Sequence, residues 1–261
     1  MTTKSKWGVT GDTNQVLSDI NDFVEHVTGS VNDASAKLFL MGHSMGGAES
    51  LMYLLSDLKS LSGKTQISGL LVEAPHVGFP PESKPNPLVV FAGRLASKVL
   101  PHMQMVQKLD SSAMSRDPKV CKDWADDPLC HDTGTLQGLA GLLDRAHYLS
   151  TFSGNSALPC PVWWAHGNGD KVCDFNASKS LYDKLAAKDT MSEGLNQFRV
   201  YEGAYHKLHA EPDGVGQTFA KDAGDWIMRV ATTFRKGLSE QAVAAGTKGQ
   251  DAVEADVRSK L

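Results

Sequence analysis

The chain has 261 residues, 41% hydrophobic and 21% charged, with a formal net charge of −4; it is long enough to bury a substantial core, and its mild acidity gives no support for nucleic-acid binding. No apolar stretch follows Met1–Lys6, and no run approaches the ~20 apolar residues that span a bilayer, so neither a secretory signal nor a membrane span is expected. Cys121, Cys130, Cys160 and Cys173 form no C-x-x-C pair and read as free thiols in a reducing compartment.

Taken in chain order, Asp12 or Thr13 caps a predicted helix running to Val27, with Val16, Leu17, Ile20, Phe23, Val24 and Val27 on one face. An apolar run, Lys37–Met41, leads into Gly42-His43-Ser44-Met45-Gly46-Gly47, and a helix-compatible run follows from Ala48 to Leu58. Strand, G-x-S-x-G turn and helix is the setting of a nucleophile elbow, in which a sharp turn lifts a serine above a sheet. Gly42 and Gly46 lack a Cβ, so strand and helix can approach closely there. A second strand reads from Ile67 to Glu73 and ends at Ala74-Pro75.

Residues 76–158 depart from strand–helix alternation and read as a helical cap. Within it Leu88, Phe91, Leu95 and Val99 recur at helical spacing, and Val89, Val90, Ala92 and Leu100 widen that face. Periodicity leaves two readings open: a helix packed on the core, or a lid that contacts acyl chains or a membrane surface. Alternation resumes at Pro161–Ala165, a short buried strand, followed by the loop His166–Val172 that carries Asp170. A strand from Gln197 to Tyr201 leads into a loop with His206, and an amphipathic helix with Phe219, Trp226, Ile227, Val230 and Phe234 closes the ordered part. The division is thus 1–75 (first part of the core, with the elbow), 76–158 (cap), 159–236 (second part of the core) and 237–261 (a flexible tail). The tail ends in Ser259-Lys260-Leu261, the form of a peroxisomal address read by an import receptor at a free C-terminus. The expected location is therefore the peroxisome, with the cytoplasm as the alternative.

A serine nucleophile needs a base, and the base needs an acid to orient it. In α/β sheets with an elbow the chain order is Ser, acid, His. Ser44, Asp170 and His206 fall in that order, the last two just past strand ends, where open parallel sheets collect functional groups. His209 and Asp174 are rivals, disfavoured because each lies further from its strand. His206 and His209 are spaced i, i+3 without the glutamate of H-E-x-x-H, which argues against zinc.

At these residues the chain resembles the monoacylglycerol lipases of the serine aminopeptidase S33, or lysophospholipase-like, group of α/β-hydrolases. The resemblance lies in Gly42–Gly47, His166–Cys173 and, most specifically, Tyr201-Glu202-Gly203-Ala204-Tyr205-His206-Lys207-Leu208-His209. It extends through Leu109–Ser112, Ser115–Asp117 and Asp127–Leu129, which look like the lid region of the fungal branch, and spans roughly residues 8 to 235. It implies an α/β-hydrolase with a mainly parallel sheet and helical cap, a lipid ester substrate, no metal or organic cofactor, and Ser44, Asp170 and His206 as catalytic triad. It further implies the backbone N–H of Met45 as one arm of the oxyanion hole, and sensitivity of Cys173 to oxidants or thiol reagents.

The chain departs from that family at its front. Only 43 residues precede Ser44, and neither the early His-Gly segment that supplies a second oxyanion N–H nor the first four strands have a counterpart. The expectation is a truncated hydrolase whose elbow strand lies at a sheet edge, short of one donor worth about 2.7–4 kcal/mol in the transition state. A lysophospholipase or general carboxylesterase is the close alternative. An inactive remnant that binds lipid or a partner is the alternative of another class.

Overall fold

The computed structural model describes residues 3–33, 35–153, 157–188 and 194–233. Helix α1 (Thr13–Ser30) begins where the Asp12 carboxylate accepts the Gln15 N–H at 2.9 Å, a side-chain N-cap. Its inner face holds Val16, Leu17, Asn21 and Val24. Phe23, predicted on that face, is 68% exposed. The buried position goes instead to Asn21, whose Oδ1 accepts from the Tyr53 hydroxyl at 3.1 Å and from the Gly63 N–H at 2.9 Å. Hydropathy alone does not reveal a buried amide that answers two donors on other elements.

Strand β1 (Leu38–His43) runs into α2 (Met45–Leu55), and β2 is Ile67–Glu73. After the cap come β5 (Val162–Gly167), α6 (Phe175–Ala186), β6 (Gln197–Tyr201) and α7 (residues 215–233). The four core strands form one parallel sheet in the order β1-β2-β5-β6, with Met41 beside Leu71 and Val72 beside Trp164. Successive side chains alternate between two cores. Leu70, Val72 and Trp164 face one core with Leu17, Leu51, Tyr53, Leu149 and Leu181, drawn from α1, α2, α5 (Leu136–Ser150) and α6. Leu71, Trp163 and Ala165 face the other with Phe219, Trp226 and Val230 of α7. Burial on both faces explains why β2 and β5 read as nearly continuous apolar runs.

The sheet order leaves β1 at an edge, and among the described residues ahead of it there is helix and turn but no strand. Met41 is 50% exposed there.

Between β2 and β5 lie α3 (Pro87–Val99), β3 (Gln104–Val106), α4 (Pro118–Asp126), β4 (Thr133–Thr135) and α5. The sequence predicted only helices. The antiparallel pair β3–β4 has three residues in each strand, too few to show alternation. The pair is held from outside: the Gln104 amide donates to the carbonyls of Lys4 and Trp7, and Trp7 stacks on His131 at 4.3 Å. No residue of α3 is buried, and Leu88, Phe91, Leu95 and Val99 face solvent. Of the two readings of this helix, packing into the core is not what is observed. Helix α5 instead turns inward: its Arg145 is buried, donating to Glu49 of α2 at 2.9 Å and to Thr13 of α1 at 3.3 Å.

Phe234, the tail from residue 237 and Ser259-Lys260-Leu261 lie outside the described residues. No helix among the described residues is long and apolar enough to cross a membrane.

Candidate active site

Ser44 joins β1 to α2 with φ 55° and ψ −119°, a region that a residue with a Cβ rarely occupies. Three backbone bonds hold it there. Its N–H donates to the Glu73 carbonyl at 3.0 Å, and its carbonyl accepts from His76 at 2.9 Å and Ala48 at 3.2 Å. The turn is sterically open only to glycine at position 42, where a Cβ would lie 2.4 Å from the Gly46 carbonyl oxygen. Helix α2 starts at Met45, so the N–H groups of its first turn and the positive end of its dipole lie beside the serine.

The three side chains singled out from the sequence converge. The Ser44 hydroxyl donates to His206 Nε2 at 2.9 Å, and His206 Nδ1–H donates to Asp170 Oδ2 at 2.9 Å. The Asp170 side chain is fully buried, and its Oδ1 accepts the backbone N–H groups of Val172 at 2.7 Å and Cys173 at 3.0 Å. Burial alone would push its carboxyl up, but hydrogen bonds from His166 and His206 hold it well below the usual carboxylate range. The loops carrying Asp170 and His206 touch through another glycine: a Cβ on Gly167 would lie 2.2 Å from the Ala204 carbonyl oxygen.

The rivals are engaged elsewhere. His209 Nδ1 binds the Glu73 carboxylate at 2.8 and 2.9 Å, and its backbone N–H donates to the same group at 3.2 Å. Asp174 caps α6, accepting from Asn176 and Ala177. Cys173 is buried with its Sγ 4.0 Å from Ser44 Oγ, and burial pushes the thiol well up, so it stays protonated. Asp170, Cys173 and His206 present donor atoms within 4.8 Å of one another. The carboxylate and imidazole are committed to each other, however, and the thiol is neutral, a set that fits proton transfer better than metal binding.

Sequence reasoning passed over four residues here. His43 Nε2–H donates to the His206 carbonyl at 3.1 Å, with the two rings 4.7 Å apart. Glu73 is buried; burial would raise its carboxyl, but the His209 hydrogen bonds bring it down overall. His76 sits behind the serine, and His166 Nε2 reaches Asp170 Oδ2 at 3.0 Å. Only Glu73 left a signal, as the lone charge closing the otherwise apolar segment Leu70–Val72. The cap secures the histidine loop: the Lys207 N–H donates to the Met114 carbonyl at 2.8 Å, the Ser115 hydroxyl donates to the Ala210 carbonyl, and Arg116 binds the buried Glu211 carboxylate.

Residues 3–213 match the family described as serine aminopeptidase, S33. The chain belongs to that family. Among its relatives, a protein described as a putative monoglyceride lipase of Schizosaccharomyces pombe is 29% identical over 239 residues, covering 92% of this chain and 59% of its own length. The monoglyceride lipase of Mus musculus is 30% identical over 217 residues, covering 81% of this chain and 67% of its own. The chain thus spans about three fifths to two thirds of the length of these relatives. The fold is that of the crystal structure of a soluble variant of monoglyceride lipase from Saccharomyces cerevisiae in complex with a substrate analogue. That match has a TM-score of 0.76 at 23% identity and covers 88% of this chain and 74% of that one.

The site contributes to the acid stability of this S33-family chain. His43 and His76 are pushed down from 6.5 to about 4, chiefly by burial, so the native state refuses protons that the unfolded chain accepts. Their contribution is complete above pH 6.5 and is lost as pH falls from there toward 4, by up to about 1.4 kcal/mol per histidine per pH unit. Urea unfolding at a series of pH values across that window should show the free energy falling, with a shallower slope in His76→Asn; a flat profile in the wild type would contradict the burial argument.

Proposed function

We propose that the chain is a serine ester hydrolase whose preferred substrates are monoacylglycerols, with Ser44, His206 and Asp170 as catalytic triad. The observation that carries this reading is the unbroken hydrogen-bonded line from Ser44 Oγ through the His206 ring to the buried Asp170 carboxylate. His206 takes the hydroxyl proton as Ser44 attacks the acyl carbonyl, and Asp170 holds the imidazole and stabilises its cation. The Met45 N–H, at the start of α2, faces the developing oxyanion. The alcohol leaves with the proton from His206. A water molecule, deprotonated by the same ring, then releases the fatty acid and restores Ser44. The substrate class is supported by the relatives described as monoglyceride lipases.

A fluorophosphonate probe should label wild-type protein at Ser44, and Ser44→Ala should abolish labelling. Asp170→Asn should lower kcat by about three to four orders of magnitude. Folded protein without labelling or turnover would make the chain a non-catalytic binder. Hydrolysis of lysophosphatidylcholine in preference to monooleoylglycerol would move the substrate to lysophospholipids, and rapid turnover confined to short esters would make it a general carboxylesterase.

The apolar face of α3 supports a second part of the proposal, that the cap contacts the lipid surface from which substrate is drawn. Phe91 is 70% exposed, and Leu88, Leu95 and Val99 extend the same face. Replacing Leu88 and Phe91 by glutamate should reduce binding to phosphatidylcholine vesicles about tenfold or more while leaving hydrolysis of soluble p-nitrophenyl acetate intact. Equal loss of both would place α3 in the active site instead.

Location follows from chemistry at the other end of the chain. Ser259-Lys260-Leu261 supports peroxisomal import through the receptor for that tripeptide. A fluorescent protein carrying residues 250–261 at its C-terminus should enter peroxisomes, and removal of Leu261 should leave it in the cytosol. Diffuse signal from the intact segment would remove the location without touching the chemistry.

A further inference from the structure

Two imidazoles converge on a single oxygen of Asp170. His206 Nδ1 lies 2.9 Å and His166 Nε2 lies 3.0 Å from Oδ2, while Oδ1 is taken by the N–H groups of Val172 and Cys173. Serine ester hydrolysis requires the first imidazole, and nothing in its two steps requires the second. His166 lies near the end of β5, is completely buried, and packs edge-on against Phe175 at 5.6 Å. Its Nδ1 is buried without a hydrogen-bond partner among the described residues. A carboxylate only accepts, so the proton of the neutral ring is on Nε2. A second proton, on Nδ1, would create a buried cationic N–H with no acceptor, which is costly. The surroundings therefore favour one tautomer of His166, with the proton on Nε2.

We propose that His166 is a positioning residue of the triad: an Nε2–H donor that fixes the Asp170 carboxylate on His206 and takes a share of its negative charge. The proposal rests on the ester-hydrolase reading given above. Sharing has a direction. A carboxylate bonded to one imidazole concentrates its charge on that ring and stabilises the imidazolium, so His206 would keep its proton to higher pH. With His166 donating to the same oxygen the pull on His206 is weaker, and more molecules carry a free base on the acid side of the activity profile. The other groups around His206 act alongside this without replacing it. His43 from the elbow and His76 just past β2 lie near the ring, the Cys173 thiol is protonated, Arg145 acts on His76 from α5, and the Glu73–His209 pair lies beside His43.

The test compares His166→Gln, which keeps a neutral N–H donor, with His166→Leu, which removes it. kcat/KM for p-nitrophenyl acetate is measured from about pH 5 to 9, with circular dichroism to check folding. His166→Leu should lose about tenfold in plateau kcat/KM and move its acidic limb up by about half a pH unit, whereas His166→Gln should keep the wild-type limb and most of the rate. An unmoved limb in His166→Leu, or equal shifts in both variants, would overturn the proposal and leave His166 as packing. In wild-type protein, ¹⁵N imidazole shifts should report His166 as the neutral Nε2–H tautomer over the same range; a protonated Nδ1 would overturn it independently. That measurement needs neither a folded variant nor turnover, so an inactive wild type would fail the hydrolase reading while the tautomer of His166 is still read.

Discussion

The site depends first on how closely one strand and one helix can approach. A side chain at Gly42 would be driven to 2.4 Å from the Gly46 carbonyl, so only glycine lets β1 turn into α2 within a single residue. That residue is Ser44, and its φ of 55° is the consequence. Strain of this kind costs on the order of 1–3 kcal/mol and persists only where the surroundings over-determine it. Here they do. The Ser44 N–H and carbonyl are tied to the Glu73 carbonyl and the His76 N–H, so the neighbouring strand carries the turn. The elbow is therefore a property of β1, α2 and the end of β2 together.

Around this turn the molecule buries more charge than its mild net charge suggests, and each buried charge is answered from another element. The Asp170 carboxylate receives four hydrogen bonds, Glu73 is held by His209, Glu211 by Arg116, and Arg145 by Glu49. Replacing such pairs by apolar residues is often neutral or stabilising, so their value is better sought in geometry than in stability. The Glu211–Arg116 pair ties the cap to the loop of His206, and Arg145 joins three helices behind the serine. Met114, Ser115 and Arg116 are in this way a structural part of the site. Helix α3 of the cap shares none of these bonds inward and keeps its apolar face to solvent.

Much of this was legible in the sequence because the deciding signals are local. The glycine spacing around Ser44 fixes the turn, the runs Ile67–Glu73 and Gln197–Tyr201 match the observed strands end to end, and Asp170 and His206 follow strand ends in the order the elbow requires. Their convergence follows from parallel strands, which deliver successive loops to one edge.

What the sequence left undecided depends on partners distant in the chain. Phe23 fits an apolar face at helical spacing, yet it is exposed, because Asn21 has donors in Tyr53 and Gly63 that only the packing of α1 on α2 and on the turn at Ser62–Gln66 supplies. Periodicity could not say whether α3 packs inward or outward; tertiary contacts turned α5 inward through Arg145 and left α3 exposed. The choice of His206 over His209 rested on one loop position, and the structure separates them by giving His209 the buried carboxylate of Glu73, 136 residues away. His166, beside Asp170 in sequence, looked like the start of a loop until β5 buried it and aimed Nε2 at the acid. The sequence by itself determined the turn, the strands and the order of the three side chains, because backbone sterics and period-two burial act over a few residues. Only the tertiary structure decided which polar groups are buried and what answers them, because a buried hydrogen bond is defined by two groups that the sequence lists far apart.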